Sequence, residues 1–233
     1  MAKETFTEEN IIQSISSLWN LLTEEEQQLL RKKFTIETYK KNEVIYYEGE
    51  TPRSFLCLLR GKVKICKECS SRKNQIVRVL KPVDFFGYRA FYANEDYVTS
   101  ASAFESSTIC KIPINIIDKF VNENSRLTLF FMRQLAIKLG ESEQRTINLT
   151  QKHLRGRLAE SLLFLKDNYG LEEDEATLSI YLSREDLANM SNMTTANAIR
   201  TLSAFAGEKL IAIDGKKIKI IDEEALKKIS RLG

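Results

Sequence analysis

The chain has 233 residues, of which 43% are hydrophobic and 29% are charged, and its formal net charge is +3. This length allows one large domain or two ordinary ones with a core that needs no disulfide bonds. The weak net charge excludes a uniformly basic nucleic-acid binder, so any basic surface must be local. The sequence shows no secretory signal and no long apolar window, and its four cysteines fit a reducing compartment. We therefore expect a cytoplasmic protein that does not enter a membrane.

Residues 1–120 predict short helices followed by a β-barrel. Thr23 and Glu26 have the spacing of a capping box at a helix start. From Phe34 onwards, short runs rich in β-branched and aromatic residues alternate with turn residues, which is typical of a sandwich or barrel. These runs are residues 44–47, 55–59, 63–66, 76–80 and 108–112.

Residues 121–154 predict one long helix, because their apolar and small residues repeat at steps of three and four. We interpret one seam of this helix as a dimer interface, formed by Leu135, Leu139, Ser142, Thr146 and Leu149. The alternative is that the helix lies along its own barrel. Glycine is a poor residue for a helix interior, so Gly156 predicts a hinge at the end of this segment.

Residues 155–233 predict a winged helix-turn-helix. Ser183 has the spacing of a capping motif with Asp186, Asn192 suits a left-handed turn, and Thr194 can cap the second helix. Gly207 is expected to end that helix in the left-handed conformation. The positions of the second helix that should face the core are Ala198, Leu202 and Phe205.

The outward face of the second helix carries small residues where a solvated helix would carry lysine and glutamate. This composition suits the major groove, because small residues allow close approach, Arg200 can pair with guanine, and Ile199 can touch a thymine methyl. Residues 210–221 predict a hairpin turning at Asp214 and Gly215, with lysines that would hold phosphates. The candidate DNA-binding residues are Ser183, Thr194, Thr195, Ala196, Asn197, Ile199, Arg200, Ser203, Lys216 and Lys217.

An alternative function is a ligand-binding barrel module whose C-terminal domain binds protein instead of DNA. An enzyme is not expected, because the sequence has no nucleophile paired with a base, no phosphate-binding loop and a single histidine. The acidic run at residues 172–175 is interpreted as a solvated loop.

These motifs resemble the family of the cyclic-AMP receptor protein and the fumarate–nitrate reductase regulator (CRP/FNR). Residues 39–65 are similar to the opening of the family's barrel, and residues 184–202 to its helix-turn-helix. The resemblance implies an α+β fold with an N-terminal β jelly-roll barrel of the cyclic-nucleotide-binding type, a long dimerisation helix and a C-terminal winged helix-turn-helix. It implies a homodimeric transcription regulator that binds double-stranded operator DNA and, if it is an activator, RNA polymerase. Arg200 falls on the family's base-contacting arginine.

Residues 84–103 depart from the family members that bind cyclic AMP. Gly87 is kept, but Tyr88 stands at the position of the ribose-binding glutamate, and Tyr97 and Val98 stand at those of the phosphate-binding arginine and serine. A cyclic phosphate needs a cation and donors, so we expect an effector other than cyclic AMP. The candidate effector-pocket residues are Gly87, Tyr88, Arg89, Tyr97, Thr99 and Ser142. Ala196 replaces a glutamate common in the family, so the operator should also differ.

Three residues are candidates for a redox or metal sensor. Cys66 and Cys69 form a CxxC pair that could bind metal or form a disulfide. His153 could be an axial haem ligand, since some relatives sense gases through haem; its alternative is a packed or solvated side chain. Cys57 and Cys110 are interpreted as small buried hydrophobic residues. The first 56 residues contain no cysteine, which argues against the family's N-terminal iron–sulfur cluster.

Overall fold

The computed structural model describes residues 8–68 and 74–233, which form two compact units. The first unit contains residues 8–68 and 77–139, and the second contains residues 74–76 and 140–233. The domain boundaries that the sequence suggests, at residues 120 and 154, stay a prediction.

The first unit begins with three short helices and continues with strands, as the sequence predicts. Thr23 caps the third helix in the predicted capping box with Glu26. The helices are α1 (Glu8–Ser14), α2 (Ser16–Trp19), α3 (Glu24–Arg31), α4 (Tyr88–Tyr92) and α5 (Ile114–Glu123). The strands are β1 (Thr35–Tyr39), β2 (Val44–Tyr46), β3 (Ser54–Arg60), β4 (Val63–Glu68), β5 (Asn74–Leu80), β6 (Phe85–Phe86), β7 (Ser100–Ala103) and β8 (Ser107–Pro113).

These strands form two four-stranded sheets, with the orders β1-β8-β3-β6 and β2-β7-β4-β5. Strand β3 lies inside its sheet and is buried on both faces. Phe55 and Cys57 belong to the core that the N-terminal helices cover, whereas Leu56 and Leu58 belong to a second core that includes residues of the other sheet. Successive side chains of a strand point to opposite faces, so this nearly continuous apolar strand fills both cores.

Helix α6 (Ser125–Gln151) has 27 residues, which confirms the predicted long helix. Its first half belongs to the first unit and buries Leu127 and Phe131 in the core. Its second half belongs to the second unit.

The second unit is built from helices and one β-hairpin. Its other elements are α7 (Leu154–Tyr169), α8 (Arg184–Met190), α9 (Thr195–Gly207), β9 (Ile211–Asp214), β10 (Lys217–Ile220) and α10 (Glu223–Leu232). The predicted core positions Ala198, Leu202 and Phe205 are at most 1% exposed, so the predicted inward face of α9 is confirmed.

Two glycines of this unit carried sequence predictions. Gly156 of the predicted hinge at residues 154–157 lies within α7, where an added Cβ would come within 2.7 Å of the carbonyl carbon of Gly233. Glycine is needed there because another segment of backbone approaches closely. Gly207 is the last residue of α9, as predicted. It does not take the left-handed conformation, which occurs at Lys209, with φ of 58°.

The predicted α+β fold, with a two-sheet barrel, a long helix and a winged helix-turn-helix, is confirmed. Among the described residues, every helix is too short or too polar to cross a membrane.

Candidate nucleic-acid interface

Local capping interactions fix both helices of the helix-turn-helix. Ser183 caps α8 by accepting a hydrogen bond from the backbone N–H of Asp186, whose carboxylate accepts one from the Ser183 N–H. Asn192 takes the left-handed conformation in the turn, with φ of 49°. Thr194 then caps α9 by accepting a hydrogen bond from the N–H of Asn197. These predicted caps are confirmed, and they set where α9 begins and which side of it faces out.

The outward face of α9 is exposed and carries no acidic side chain. Ile199 is 47% exposed despite being apolar. The exposed residues of this face are Thr195, Ala196, Ile199, Arg200 and Ser203. Because its side chains are mostly small, this face allows the helix to approach the floor of the DNA major groove closely.

Arg200 is held by its neighbour one turn earlier. Its Nη2 donates a hydrogen bond of 2.6 Å to Oδ1 of Asn197, which is half-buried. A guanidinium has five N–H donors in a rigid plane, so this bond limits the side chain's freedom and leaves other donors for a base edge. Asn197 therefore has a positioning role that the sequence alone does not specify.

The wing is a hairpin in which Lys217 pairs with Asp214 across Gly215 and Lys216. Gly215 has a φ of 55°, as the predicted turn requires. Lys216 is exposed, and within the described part of the chain it makes no hydrogen bond or ion pair. Its ammonium group is therefore available to a phosphate.

The other wing lysines face the acidic run, which is more than a solvated loop. Lys217 lies 3.6 Å from Glu172, and Lys219 lies 3.2 Å from Asp174. Hydrogen bonds from the backbone and side chain of Thr177 hold the pKa of Asp174 well below its usual range, and Lys219 adds to this effect. The carboxylates thus lower the positive potential of the wing.

Arg184 links the helix-turn-helix to the wing, a role that the sequence analysis missed. Its Nη2 donates a 2.8 Å hydrogen bond to the carbonyl of Gly215 at the tip of the hairpin. Because Arg184 is the first residue of α8, it fixes the wing turn against that helix. Only the pairing of distant segments shows this, and no local pattern marks it.

Two family models match the chain in the order that this architecture requires. The model of the cyclic nucleotide-binding domain matches residues 36–124, and that of the Crp-like helix-turn-helix domain matches residues 156–229. Regulatory protein HlyX of Actinobacillus pleuropneumoniae is 28% identical over 204 residues, which cover 85% of this chain and 84% of HlyX. This chain belongs to the CRP/FNR family of transcription regulators.

Further relatives agree with this assignment. The global nitrogen regulator of Nostoc sp. is 25% identical over 180 residues, covering 76% of this chain and 81% of the regulator. The solved structure of FixK2 from Bradyrhizobium japonicum superposes with a TM-score of 0.76 at 20% identity, over 84% of this chain and 96% of FixK2, and shows the shared fold. The helix-turn-helix model and the names of these relatives are those of DNA-binding transcription regulators and not of enzymes.

The barrel of this CRP/FNR regulator is filled with aromatic rings at the candidate effector pocket. Tyr97 stacks on Tyr46 with ring centroids 3.8 Å apart. Gly87, with φ of 84°, lies so close that an added Cβ would be 3.2 Å from the Tyr97 hydroxyl oxygen. Burial raises the pKa of Tyr46 to about 12, although its hydrogen bond with Thr99 acts the other way. Gly87, Tyr97 and Thr99 are thus brought together around Tyr46.

The remaining pocket candidates lie elsewhere. Tyr88 packs with Phe55 and Phe131 in the other core, and so does not line the same space as Tyr97. Arg89 is 52% exposed and pairs with Glu95 at 3.1 Å, so it does not supply a buried cation. Ser142 is exposed on the part of α6 that belongs to the second unit, and its carbonyl accepts a hydrogen bond from Thr146.

Helix α6 exposes an apolar stripe that differs from the predicted seam. Leu135 packs against the core of its own unit, which supports the alternative for that position. Met132 and Leu139 are each 61% exposed. Together with Leu129 and Ala136 they follow steps of three, four and three, as in a coiled-coil seam. Of the other predicted seam residues, Ser142 and Thr146 are exposed and Leu149 is half-buried.

The sensor candidates do not form a metal site in the described residues. Cys66 is buried in β4, and Cys69 lies outside the described residues. His153 is an exposed residue at the start of α7 whose side chain makes no capping hydrogen bond. Within residues 8–68 and 74–233, no group of three or more potential metal ligands is found. The proposed redox, metal and haem roles stay predictions.

Proposed function

We propose that this CRP/FNR regulator acts as a homodimer on a pseudopalindromic operator, with one α9 helix in the major groove of each half-site. The observation that carries the proposal is the exposed, acid-free face of α9, from which Arg200 projects while bonded to Asn197. Arginine recognises guanine through paired hydrogen bonds to O6 and N7. Ala196 and Ser203 leave room for the backbone to approach the bases.

The phosphate contacts come from the edges of the same unit. Thr194 lies at the N-terminus of α9, where free backbone N–H groups and the helix dipole favour an anion. Ser183, at the start of α8, is a weaker phosphate contact, because its hydroxyl donates to Asp186 and Glu185 lies in the same turn. Lys216 of the wing adds a cation that has no ion pair within the described residues, while Lys217 is shared with Glu172. These contacts position α9 without reading sequence. Contact with RNA polymerase is expected if the protein is an activator.

The dimer forms through the exposed stripe of α6, which consists of Leu129, Met132, Ala136 and Leu139. Pairing two such stripes removes Leu129, Met132 and Leu139, which are exposed large apolar side chains of this helix, from water. A double variant, Met132→Glu with Leu139→Glu, should therefore be monomeric by light scattering at micromolar concentration. Ile137→Glu is the control, because Ile137 is 54% exposed but lies about 140° around the helix from Met132 and about 160° from Leu139.

The proposed effector is not ordinary cyclic AMP. Tyr46 and Tyr97 occupy the space beside Gly87, and Arg89, the cation that the sequence places nearest to Gly87, is paired with Glu95 at the surface. An apolar organic ligand that displaces a tyrosine ring fits this region better. Calorimetric titration with cyclic AMP should give no saturable heat, and a saturable signal would reject this part of the proposal.

The direct test of the function is selection from random duplex DNA by the purified dimer. The account expects an inverted repeat whose half-site centres lie about one helical turn, or about 34 Å, apart. Absence of any enriched sequence, with and without cell extract, would contradict the proposal and favour a C-terminal domain that binds protein.

A further inference from the structure

Two buried cysteines face each other across neighbouring strands of the barrel. Cys57 in β3 and Cys110 in β8 are direct partners in the antiparallel register. Directly opposed residues of an antiparallel pair point to the same face of the sheet. Both thiols accordingly lie in the same core, with Phe55 and Ile112 as neighbours on that face. The sequence analysis treated them as separate, because strand pairing is not local.

The backbone hydrogen bonds define the separation of this pair. The backbone hydrogen bonds of Leu58 are directed towards the segment that leads into β6. Its N–H donates to the Asp84 carbonyl, and its carbonyl accepts from the Val83 N–H. Adjacent residues of a strand alternate in direction, so Cys57 bonds towards β8 and forms a hydrogen-bonded pair with Cys110. The Cα atoms of such a pair lie about 5.5 Å apart. A disulfide needs a Cα separation of about 4.4–6.8 Å, which such a pair meets. It also needs a Cβ separation of about 3.5–4.5 Å, which is shorter than that of a hydrogen-bonded pair, so the two strands must adjust locally for the bond to close.

The surroundings keep both groups as free thiols in the resting protein. Cys57 and Cys110 are both 0% exposed. Burial raises the pKa of the Cys57 thiol well above its usual value and that of Cys110 to about 12. The Cys57 thiol has only a weak contact with the Leu58 carbonyl, at 3.9 Å. Because the thiolate is the reactive form, oxidation must be slow and must depend on brief opening of the sheet.

We propose that Cys57 and Cys110 form a redox pair that a peroxide converts into a cross-strand disulfide. Two S–H bonds break and one S–S bond forms. The two protons and two electrons released pass to hydrogen peroxide, which becomes two molecules of water. A thiol reductant reverses the reaction by exchange.

The disulfide would join two interior strands of the sheet β1-β8-β3-β6. It would close a loop between residues 57 and 110, which restricts the unfolded chain more than a short loop does. Oxidation should therefore raise the melting temperature of the protein instead of damaging the barrel. This inference concerns the barrel alone and does not depend on the proposed DNA contacts.

The test uses the full chain in a Cys66→Ala/Cys69→Ser background, which removes the competing CxxC pair. The folded protein is incubated with hydrogen peroxide, unfolded in the presence of an alkylating agent, digested and analysed by mass spectrometry. We expect a linked peptide containing Cys57 and Cys110 that disappears after treatment with dithiothreitol. The oxidised protein should also melt at a higher temperature than the same sample after reduction. A Cys110→Ala variant should show neither the link nor the rise in melting temperature.

Three results would overturn the proposal. The first is complete alkylation of both thiols after a peroxide exposure much longer than the opening time of β3 and β8 measured by amide hydrogen exchange. The second is a link that appears only when the peroxide is added in urea. The third is conversion of either thiol to a sulfinic acid that dithiothreitol does not reverse. Each of these results is measured on protein that keeps Cys110. The test therefore does not require the Cys110→Ala variant to fold.

Discussion

The outer face of α9 and the interior of the barrel beside Gly87 are two candidate sites that differ in their exposure to solvent. On α9, Arg200 and small side chains lie exposed on a helix whose N-terminus is capped by Thr194. Beside Gly87, Tyr46 and Tyr97 stack on each other and are at most 8% exposed. The first surface is open to a ligand without rearrangement, whereas the second is closed by the protein's own rings.

This difference shows that a chain can keep the family's DNA-facing features and still differ from the family in the effector pocket. The DNA-facing residues depend on helix periodicity and caps, which this chain retains. The effector pocket depends on a few buried charged side chains, and tyrosines occupy their positions here. A change in the barrel should therefore alter stability and response, while a change in α9 should alter sequence preference.

The largest expected effect comes from removing a ring of the closed site. Tyr97→Ala should lower the free energy of unfolding by about 3–5 kcal/mol, because it leaves a cavity beside Tyr46 and Gly87. Urea denaturation followed by circular dichroism measures this loss. Val98→Ala is the control, since Val98 is 48% exposed and should change little. If Tyr97→Ala also changed the selected operator, the separation of the two sites would be wrong.

The next effect lies on the open site. Arg200→Ala should weaken operator binding by about 1–3 kcal/mol, or roughly 5- to 150-fold, and relax specificity at one position of each half-site. Fluorescence anisotropy on the selected operator and on single-base variants measures both changes. Arg231→Ala in α10 provides a matched loss of one exposed arginine, and we expect it to keep the preference. Unchanged affinity and specificity in Arg200→Ala would reject α9 as the recognition helix.

Alanine substitution at two glycines within helices should change stability in opposite directions, one through a tertiary contact and the other through helix propensity. Gly156→Ala should destabilise the second unit by about 1–3 kcal/mol, because its Cβ would collide with the backbone of Gly233. Gly140→Ala should stabilise the protein by about 0.5–1 kcal/mol, since it lies in α6 with no atom near an added Cβ. Thermal unfolding of both variants measures the contrast. Stabilisation by Gly156→Ala would show that a Cβ fits there and that the approach of Gly233 does not require glycine.

The smallest effect concerns the wing. Lys216→Ala should weaken binding to all duplexes about equally and reduce the salt slope by about one per protomer. Glu172→Gln should act in the opposite direction, because it releases Lys217 from its carboxylate partner. Binding measured at several salt concentrations separates these outcomes, with the exposed Lys228→Ala as control. A loss confined to the selected operator would mean that Lys216 reads bases.

Features that arise within a few residues could be predicted from the sequence. The capping box at Thr23, the caps at Ser183 and Thr194, and the hairpin at Gly215 are all local, and the structure confirms them. The buried side of α9 follows from helical periodicity in the same way. These features fix the candidate DNA-facing surface, so that surface could be placed before the fold was known.

Features that join distant segments could not be predicted. The contact of Gly156 with Gly233, the ion pair of Lys219 with Asp174, and the opposition of Cys57 and Cys110 each need the tertiary structure. Leu135 was assigned to the dimer seam because periodicity marks an apolar side of α6 without saying which apolar side its own barrel covers. The proposed seam is therefore the stripe that includes Met132.

The central claim is that Arg200 reads a guanine in each half-site, and one measurement tests it most directly. Each guanine of the selected operator is replaced in turn by 7-deazaguanine, which lacks the N7 acceptor, and affinity is measured for the unsubstituted protein and for Arg200→Ala. The account predicts one guanine per half-site whose replacement weakens binding by the unsubstituted protein but has no further effect on Arg200→Ala. Equal losses in both proteins at every guanine would contradict it.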